Sequence, residues 1–329
     1  MNRLKLFAKR AAVVLVSFAL AWLAAELFLA KYRPSYDVGI ADSYVYDEEL
    51  AFRLRAGAHL FRTTDFQQES RTNAHGTANF QETFDGYERL VFAVGDSYTQ
   101  GTGVAADQSY PFQLDLTLNR DDAGLYVKRY GVVNLGVAGY GGEQNLIALR
   151  RGVERFGRPA VILYMGCEND FEDDLLFRGG YRHRSWDHVL PGWFWNETQT
   201  GVKLKRIIGS RRRARLREAA LAERGFGGAP PSSAELERGA LDALAARARE
   251  EGALLVVSWN EAGVSYEWLK GWASEQGVAF ADWAARTKSV REAMPALPLD
   301  NRHTGGHHRA WTNRVIAEEF ARQIRLGGK

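Results

Sequence analysis

Cysteine is almost absent from this chain of 329 residues, in which Cys167 is the only one. A single cysteine excludes an intrachain disulfide, so the sequence neither requires nor rules out an oxidising compartment. No histidine lies near Cys167 in the sequence, and a lone cysteine more often fills a buried space than acts as a catalytic thiol. We therefore assign Cys167 no chemical role.

An excess of charge is missing as well. The chain has 43 Lys and Arg residues against 40 Asp and Glu residues, for a net charge of +3. This balance is unlike that of a nucleic-acid-binding protein, and we expect no nucleic-acid partner. The glycine-rich stretch 136–142 lacks both the G-x-G-x-x-G spacing and the P-loop lysine. The histidines at 303, 307 and 308 have no Cys or carboxylate at metal-binding spacing. No cofactor and no metal are expected.

The N-terminus carries the longest apolar run. Residues 1–10 hold four basic residues and no acid, and residues 11–30 are apolar except for Ser17 and Glu26. Twenty such residues can cross a bilayer as a helix, and the basic flank orients the N-terminus toward the cytoplasm. The alternative is a cleaved signal peptide. We prefer a single-pass inner-membrane anchor, because the apolar run continues through residues 27–29. Both interpretations place the rest of the chain in the periplasm or outside the cell.

Downstream, short apolar runs alternate with helical segments. The runs are Leu90–Val94, Tyr130–Leu135, Ala160–Met165, Ala253–Ser258 and Val278–Ala281. This alternation predicts an α/β fold with a doubly wound parallel sheet. We assign residues 82–329 to this domain, with an insertion at about 171–250, and we interpret 31–81 as an irregular stalk and lead-in.

The insertion has an unusual composition. Residues 181–196 are rich in Trp and other aromatic side chains, residues 211–215 read Arg-Arg-Arg-Ala-Arg, and residues 225–233 contain Pro and Gly and predict a flexible joint. The aromatic stretch suits stacking on sugars, a membrane interface or a hydrophobic plug of the insertion's own. The basic run fits either anionic lipid or a solvated helix face.

The first apolar run stops abruptly at Gly95-Asp96-Ser97. Ligands of open α/β sheets bind at the carboxyl edge of the strands, and Ser97 lies just past that edge. A serine there can also be no more than a helix N-cap. The sequence alone therefore leaves Ser97 either as a nucleophile or as a cap.

Four separate blocks favour the nucleophile. Gly95-Asp96-Ser97 follows the first strand, Asn134-Leu-Gly-Val-Ala-Gly139 the second and Asn169-Asp170 the third, and a His-rich segment precedes the last helix. In this order, across about residues 70–325, they resemble the SGNH (GDSL-type) hydrolase family. The resemblance implies a flavodoxin-like sandwich, ester hydrolysis by Ser97, and an oxyanion site made by the backbone N–H groups of Ser97 and Gly139 and the side chain of Asn169. The third block departs from the family in reading Gly-x-x-Asn-Asp instead of Gly-x-Asn-Asp.

The sequence offers two candidates, His303 and His307, for the base that would activate Ser97. Asp300-x-x-His303 fits the family's Asp–His pair, whereas the family's helix signature, with an Ala ten positions after the His, fits His307 through Ala317. We favour His307. Gly305 then occupies the usual Asp position, so either Asp300 approaches from the loop or the site is a dyad without an acid.

These features leave several functions open. The first is an exported, membrane-tethered esterase that removes acyl groups, in particular acetyl, from an envelope or extracellular polysaccharide. The second is a polysaccharide O-acetyltransferase that uses the same residues. A lysophospholipase is a third possibility, and a non-catalytic carbohydrate-binding or assembly protein on the same fold is a fourth. The expected partner of the site is accordingly an acylated glycan or a lipid ester.

Overall fold

The computed structural model describes residues 2–33, 43–57, 59–63, 67–179, 192–223, 231–301 and 306–327. The chain divides into two compact units, one drawn from residues 1–41 and 184–212 and the other from 42–183 and 213–329. His303, the aromatic residues 181–191 and most of the predicted joint (225–230) lie outside the described residues.

The first unit is helical. Helix α1 (Asn2–Tyr32) contains the predicted anchor. Its segment Lys5–Tyr32 is long and apolar enough to cross a membrane, with a mean hydropathy of 2.3 in an 18-residue window. This unit also holds α6 (Gly192–Glu197) and the start of α7 (Gln199–Glu223).

The second unit contains a five-stranded parallel sheet. Its strands are β5 (Arg89–Gly95), β6 (Tyr130–Asn134), β7 (Val161–Gly166), β8 (Leu254–Trp259) and β9 (Ala279–Phe280), in the order β6-β5-β7-β8-β9. This is the flavodoxin-type order of a doubly wound sheet. The predicted α/β class is confirmed, and the predicted runs differ from these strands by only a few residues.

Helices flank the sheet. They are α2 (Ser97–Gln100), α3 (Tyr110–Leu118), α4 (Gly142–Phe156), α5 (Asp170–Arg178), α8 (Ser233–Leu236), α9 (Arg238–Glu251), α10 (Val264–Gln276), α11 (Trp283–Ala293) and α12 (Ala310–Gly327). Helix α3 packs against α12, and α4 packs against α9. The central strands β5 and β7 are covered on both faces, and this explains their unbroken apolar sequences.

The region before the sheet is more regular than the predicted stalk. It contains two antiparallel hairpins, β1 (Tyr44–Asp47) with β2 (Ala51–Leu54) and β3 (His59–Thr63) with β4 (Gln67–Arg71). The lead-in also joins the sheet, because the Asn79 side chain donates to Val132 O at 2.8 Å and accepts from Asn134 N at 2.8 Å. Alternation in four- and five-residue strands is too short to stand out in the sequence.

Two buried carboxyl groups meet beside the start of α4. Asp174 accepts the backbone N–H of Glu143 at 3.1 Å, and its carboxyl faces that of Glu237. Both side chains are almost fully buried. Burial raises the pKa of Asp174 to about 7, and burial together with the Asp174 carboxyl raises the pKa of Glu237 to about 9. At neutral pH the pair therefore holds at least one proton.

This pair predicts that the protein loses stability as the pH rises. The folded-state pKa of Glu237 lies above its unfolded value, so the pair's contribution is complete below about pH 4 and is lost as the pH approaches 9. We expect Tm to fall by several degrees between pH 6 and pH 9, and Glu237→Gln to remove most of that fall. Differential scanning calorimetry checks this, with the exposed Glu235→Gln as the control. An unchanged pH dependence in Glu237→Gln would contradict it.

Candidate active site

Ser97 lies at the point where β5 ends and α2 begins. Asp96 is fully buried and caps α2, since its Oδ1 accepts the backbone N–H of Tyr98 at 2.9 Å. The turn requires glycine at 95, where φ is +153° and a Cβ would lie 2.7 Å from Met165 O and against the Thr99 hydroxyl. Asp96, not Ser97, is thus the helix cap, and the Ser97 side chain is left half-buried at the sheet edge.

The Ser97 hydroxyl contacts a histidine and a carboxylate. Its Oγ lies 2.7 Å from Nε2 of His307 and 3.2 Å from Oδ2 of Asp96. The shorter contact is the geometry that general-base activation of a serine needs, with Nδ1 of the imidazole carrying the proton. The two residues are 210 positions apart in the chain.

Two contacts orient His307. The ring of Tyr98 packs on the imidazole at a centroid distance of 4.8 Å and an angle of 32°. The backbone carbonyl of His307 accepts the N–H of Asn301 at 2.9 Å. The segment before α12 is therefore held both by a ring and by a backbone bridge.

Among the described residues, Asp300 pairs with His308 and not with His307. Its Oδ1 lies 2.7 Å from Nδ1 of His308, a buried residue that also contacts the ring of Trp283. The cause is the antiparallel bridge between Asp300 and His308, because neighbouring residues of extended backbone point to opposite sides. His308 thus faces Asp300 while His307 faces Ser97. The spacing of the histidines did not reveal this pairing.

The glycine-rich loop after β6 is fixed next to Ser97. The backbone N–H of Val137 donates to Gly95 O at 3.2 Å, and that of Ala138 donates to the Gln100 side chain at 2.7 Å. Gly139 follows with φ of +85°, a conformation that favours glycine. The loop is therefore attached to the residues that flank Ser97, and this is the placement that main-chain oxyanion donors would require.

Asn169 stands at the end of β7, the neighbour of β5, and so lies at the same sheet edge as Ser97. Its Oδ1 accepts the Cys167 thiol at 2.8 Å, and its Nδ2 donates to Oδ2 of Asp173 at 2.6 Å. A primary amide has two N–H donors, so one remains for an oxyanion. These contacts fix which end of the amide carries the donors.

Asp173 of α5 is in turn held by side chains of α7. Its Oδ1 forms an ion pair with Arg213 of α7 at 3.0 Å, and Glu172 beside it pairs with Arg217. Burial raises the pKa of Asp173 to about 6, although Arg213 and the Asn169 amide both lower it. Part of the basic run, predicted as either lipid-binding or solvated, thus serves an internal contact. Sequence reasoning missed this link, since nothing in the spacing joins α5 to α7.

A cation site can be considered where Asp96, Cys167 and Asp170 meet, with ligand atoms within 4.8 Å of one another. Burial raises the pKa values of Cys167 and Asp170 well above their ordinary values. Asp170 Oδ2 already accepts from the Tyr164 hydroxyl at 2.7 Å and from Cys167 N at 3.0 Å. Oδ1 of Asp96, Oδ2 of Asp170 and the Cys167 thiol thus each have a hydrogen-bond partner within the protein, and a metal ion would have to displace these contacts. We therefore assign this cluster a structural role.

Comparison with known proteins returns structures but no sequence family. No protein-family model and no curated protein matches the sequence. Similar solved structures include an α/β hydrolase enzyme from the metagenome of Lake Arreo, Spain, with 16% identity and a TM-score of 0.42, covering 74% of this chain and 98% of that one.

Two further similar structures are described as a lipolytic protein and a lipase. A member of the lipolytic protein G-D-S-L family from Veillonella parvula DSM 2008 has 11% identity and a TM-score of 0.38, covering 70% of this chain and 94% of that one. A GDSL-like lipase from Bacteroides thetaiotaomicron VPI-5482 has 11% identity and a TM-score of 0.37, covering 73% and 89%. At these identities the similarity concerns the fold alone and says nothing of this chain's substrate.

The contacts of the two histidines predict a clear ranking of variants. His307→Ala should lower kcat by on the order of 10⁴-fold or more, because the serine loses its base. Asp300→Asn should lower Tm through the buried His308 and cost far less activity. Kinetics on p-nitrophenyl acetate, with thermal melts of both variants, checks this. Equal loss of activity in the two variants would assign Asp300 to the catalytic residues instead.

The contacts that join Arg213, Asp173 and Asn169 predict a change in the pH dependence of kcat when Arg213 is replaced. Arg213→Ala removes the cation that lowers the Asp173 pKa, so this carboxyl should protonate at a higher pH than in the parent and stop accepting the Asn169 amide. We expect the acid limb of kcat to move to higher pH, with a loss below the roughly 10²–10³-fold cost of deleting an oxyanion donor. Arg215→Ala, an exposed position on the same helix, is the control. Identical pH profiles of the two variants would refute the link.

Proposed function

We propose that this chain is a serine-dependent ester hydrolase of the SGNH (GDSL) type. The observation that supports it best is the 2.7 Å contact between Ser97 Oγ and His307 Nε2 at the carboxyl edge of a parallel sheet. A structural serine has no need of an imidazole partner, whereas a nucleophilic serine does.

In the proposed reaction, Ser97 is the nucleophile and His307 is the general base. His307 Nε2 takes the Ser97 proton as Oγ attacks the ester carbonyl, and the new C–O bond converts the carbonyl oxygen to an oxyanion. The N–H groups of Ser97 and Gly139 and the Asn169 amide stabilise that charge. The C–O bond to the alcohol then breaks, His307 returns the proton to the alcohol, and the acyl group stays on Ser97. Water, activated by the same histidine, releases the acid and restores Ser97.

For the substrate we propose acyl esters of an envelope or extracellular polysaccharide, with acetyl as the acyl group. The basic N-terminal flank of α1 supports a substrate outside the cytoplasm, because it favours a periplasmic or external domain. The resemblance of the four sequence blocks supports the ester chemistry and does not select the substrate. Acetate release from an O-acetylated polysaccharide, measured with and without a sugar acceptor, separates hydrolysis from acetyl transfer. Consumption of acetyl donor only when acceptor is present would favour the transferase.

Ser97→Ala should abolish both turnover of p-nitrophenyl acetate and labelling by a fluorophosphonate probe, since the probe and the ester need the same nucleophile. Folding should be little affected, because a half-buried loop hydroxyl contributes little packing. Ser210→Ala, an exposed serine on α7, is the control and should behave as the parent. Labelling that persists in Ser97→Ala would show that another residue is the nucleophile.

A further inference from the structure

The apolar helix α1 carries one carboxylate within its run, and that carboxylate is bound. Glu26 accepts hydrogen bonds from the backbone N–H of Gln199, and from the backbone N–H of Thr200 at 3.0 Å and its hydroxyl at 2.9 Å. These groups are the first turn of α7, whose free N–H groups and positive dipole end favour an anion. Glu26 thus caps a helix that begins about 170 residues later in the chain.

The contact extends deeper along α1. The indole N–H of Trp22, one turn before Glu26, donates to the Thr200 hydroxyl at 2.9 Å. The ring of Trp193 in α6 packs edge-on against that of Trp22, with centroids 6.4 Å apart. At 1.5 Å per residue, Trp22 lies about 12 Å before Ala30, the last residue of the apolar run. Residues 11–30 span about 30 Å, the thickness of a hydrocarbon core, so position 22 falls within the outer half.

A stripe of α7 continues from this contact. Thr200, Leu204 and Ile207 recur at i, i+4 and i+7 and so share one face of the helix. Leu204 is 41% and Ile207 is 50% exposed, and Trp193 of α6 is 56% exposed. Arg211 is also exposed and follows on the same face one turn beyond Ile207. An apolar stripe that ends in a cation is the pattern of a helix lying at a membrane interface.

We propose that residues 192–208 form a second membrane contact, in which α6 and the first turns of α7 enter the outer leaflet beside α1 and expose Trp193, Leu204 and Ile207 to acyl chains. The occupant is the lipid bilayer, because the face is continuous with the part of α1 that would lie within it. The inference depends on the prediction from the sequence that α1 is a membrane anchor. It does not depend on the ester chemistry.

Photolabelling of the unmodified full-length chain tests this. The protein is reconstituted into vesicles of phosphatidylcholine and phosphatidylglycerol that contain a phosphatidylcholine with a diazirine at the end of its acyl chain. After irradiation, the labelled peptides are mapped by mass spectrometry. We expect label both in α1 and in residues 192–208. Label confined to α1 would overturn the proposal, and no label in either segment would overturn the anchor with it.

Matched variants locate the contact. Leu204→Asp combined with Ile207→Asp should reduce the labelling of residues 192–208 several-fold. Gly209→Asp, on the opposite face of the same helix and with space for a side chain, should not. Equal labelling in the two would overturn the proposed stripe. Disulfide cross-linking of Leu204→Cys between two chains, without lipid label there, would assign the stripe to a second copy. If the unmodified chain is labelled in both segments but hydrolyses no ester, only the proposed function is contradicted.

Discussion

The backbone of β5 passes so close to β7 and to the start of α2 at Gly95 that no side chain fits there. This close approach lets the chain turn sharply, so that Asp96 points inward as the cap of α2 and Ser97 is left at the sheet edge. The same backbone supplies Gly95 O, which holds the loop that leads to Gly139. Ser97 and the glycine-rich loop, which we propose as the nucleophile and part of the oxyanion site, are thus positioned by one feature of the sheet.

The sheet and the serine were predictable because their signals are local. β5 and β7 are buried on both faces, so their sequences are continuous apolar runs, and the turn after β5 must contain glycine. The short hairpins before the sheet give weaker signals. Their sequences include charges such as Asp47, whose side chain is largely buried by its pairing with Arg151 of α4, about 100 positions further along the chain. Ala51 also begins β2 at φ of +65°, a conformation that sequence patterns do not indicate for alanine.

The histidines show that spacing in the sequence does not determine which side chains pair in the folded protein. Spacing placed Asp300 three residues before His303, and the family pattern left open whether Asp300 serves His303 or His307. Among the described residues Asp300 pairs with His308, because a backbone bridge sets which side chains face one another, whereas His303 lies outside them and its pairing stays a prediction. Register of this kind depends on hydrogen bonds between segments and is absent from linear spacing. The same applies to Asn169, whose environment depends on Arg213 of a helix that is remote in sequence.

The Glu26 contact has a consequence for biosynthesis. Its partners on α7 lie 173 and 174 residues downstream, so α1 leaves the ribosome long before they exist. At synthesis rates of about 5–20 residues per second, that interval lasts on the order of 10–30 s. During this time the carboxyl group has no partner from α7 and needs hydrogen bonds from water or lipid headgroups, since an unpaired polar group within an apolar segment is costly. The cap forms only when α7 arrives, so this helical unit cannot be completed before Thr200 has been synthesised.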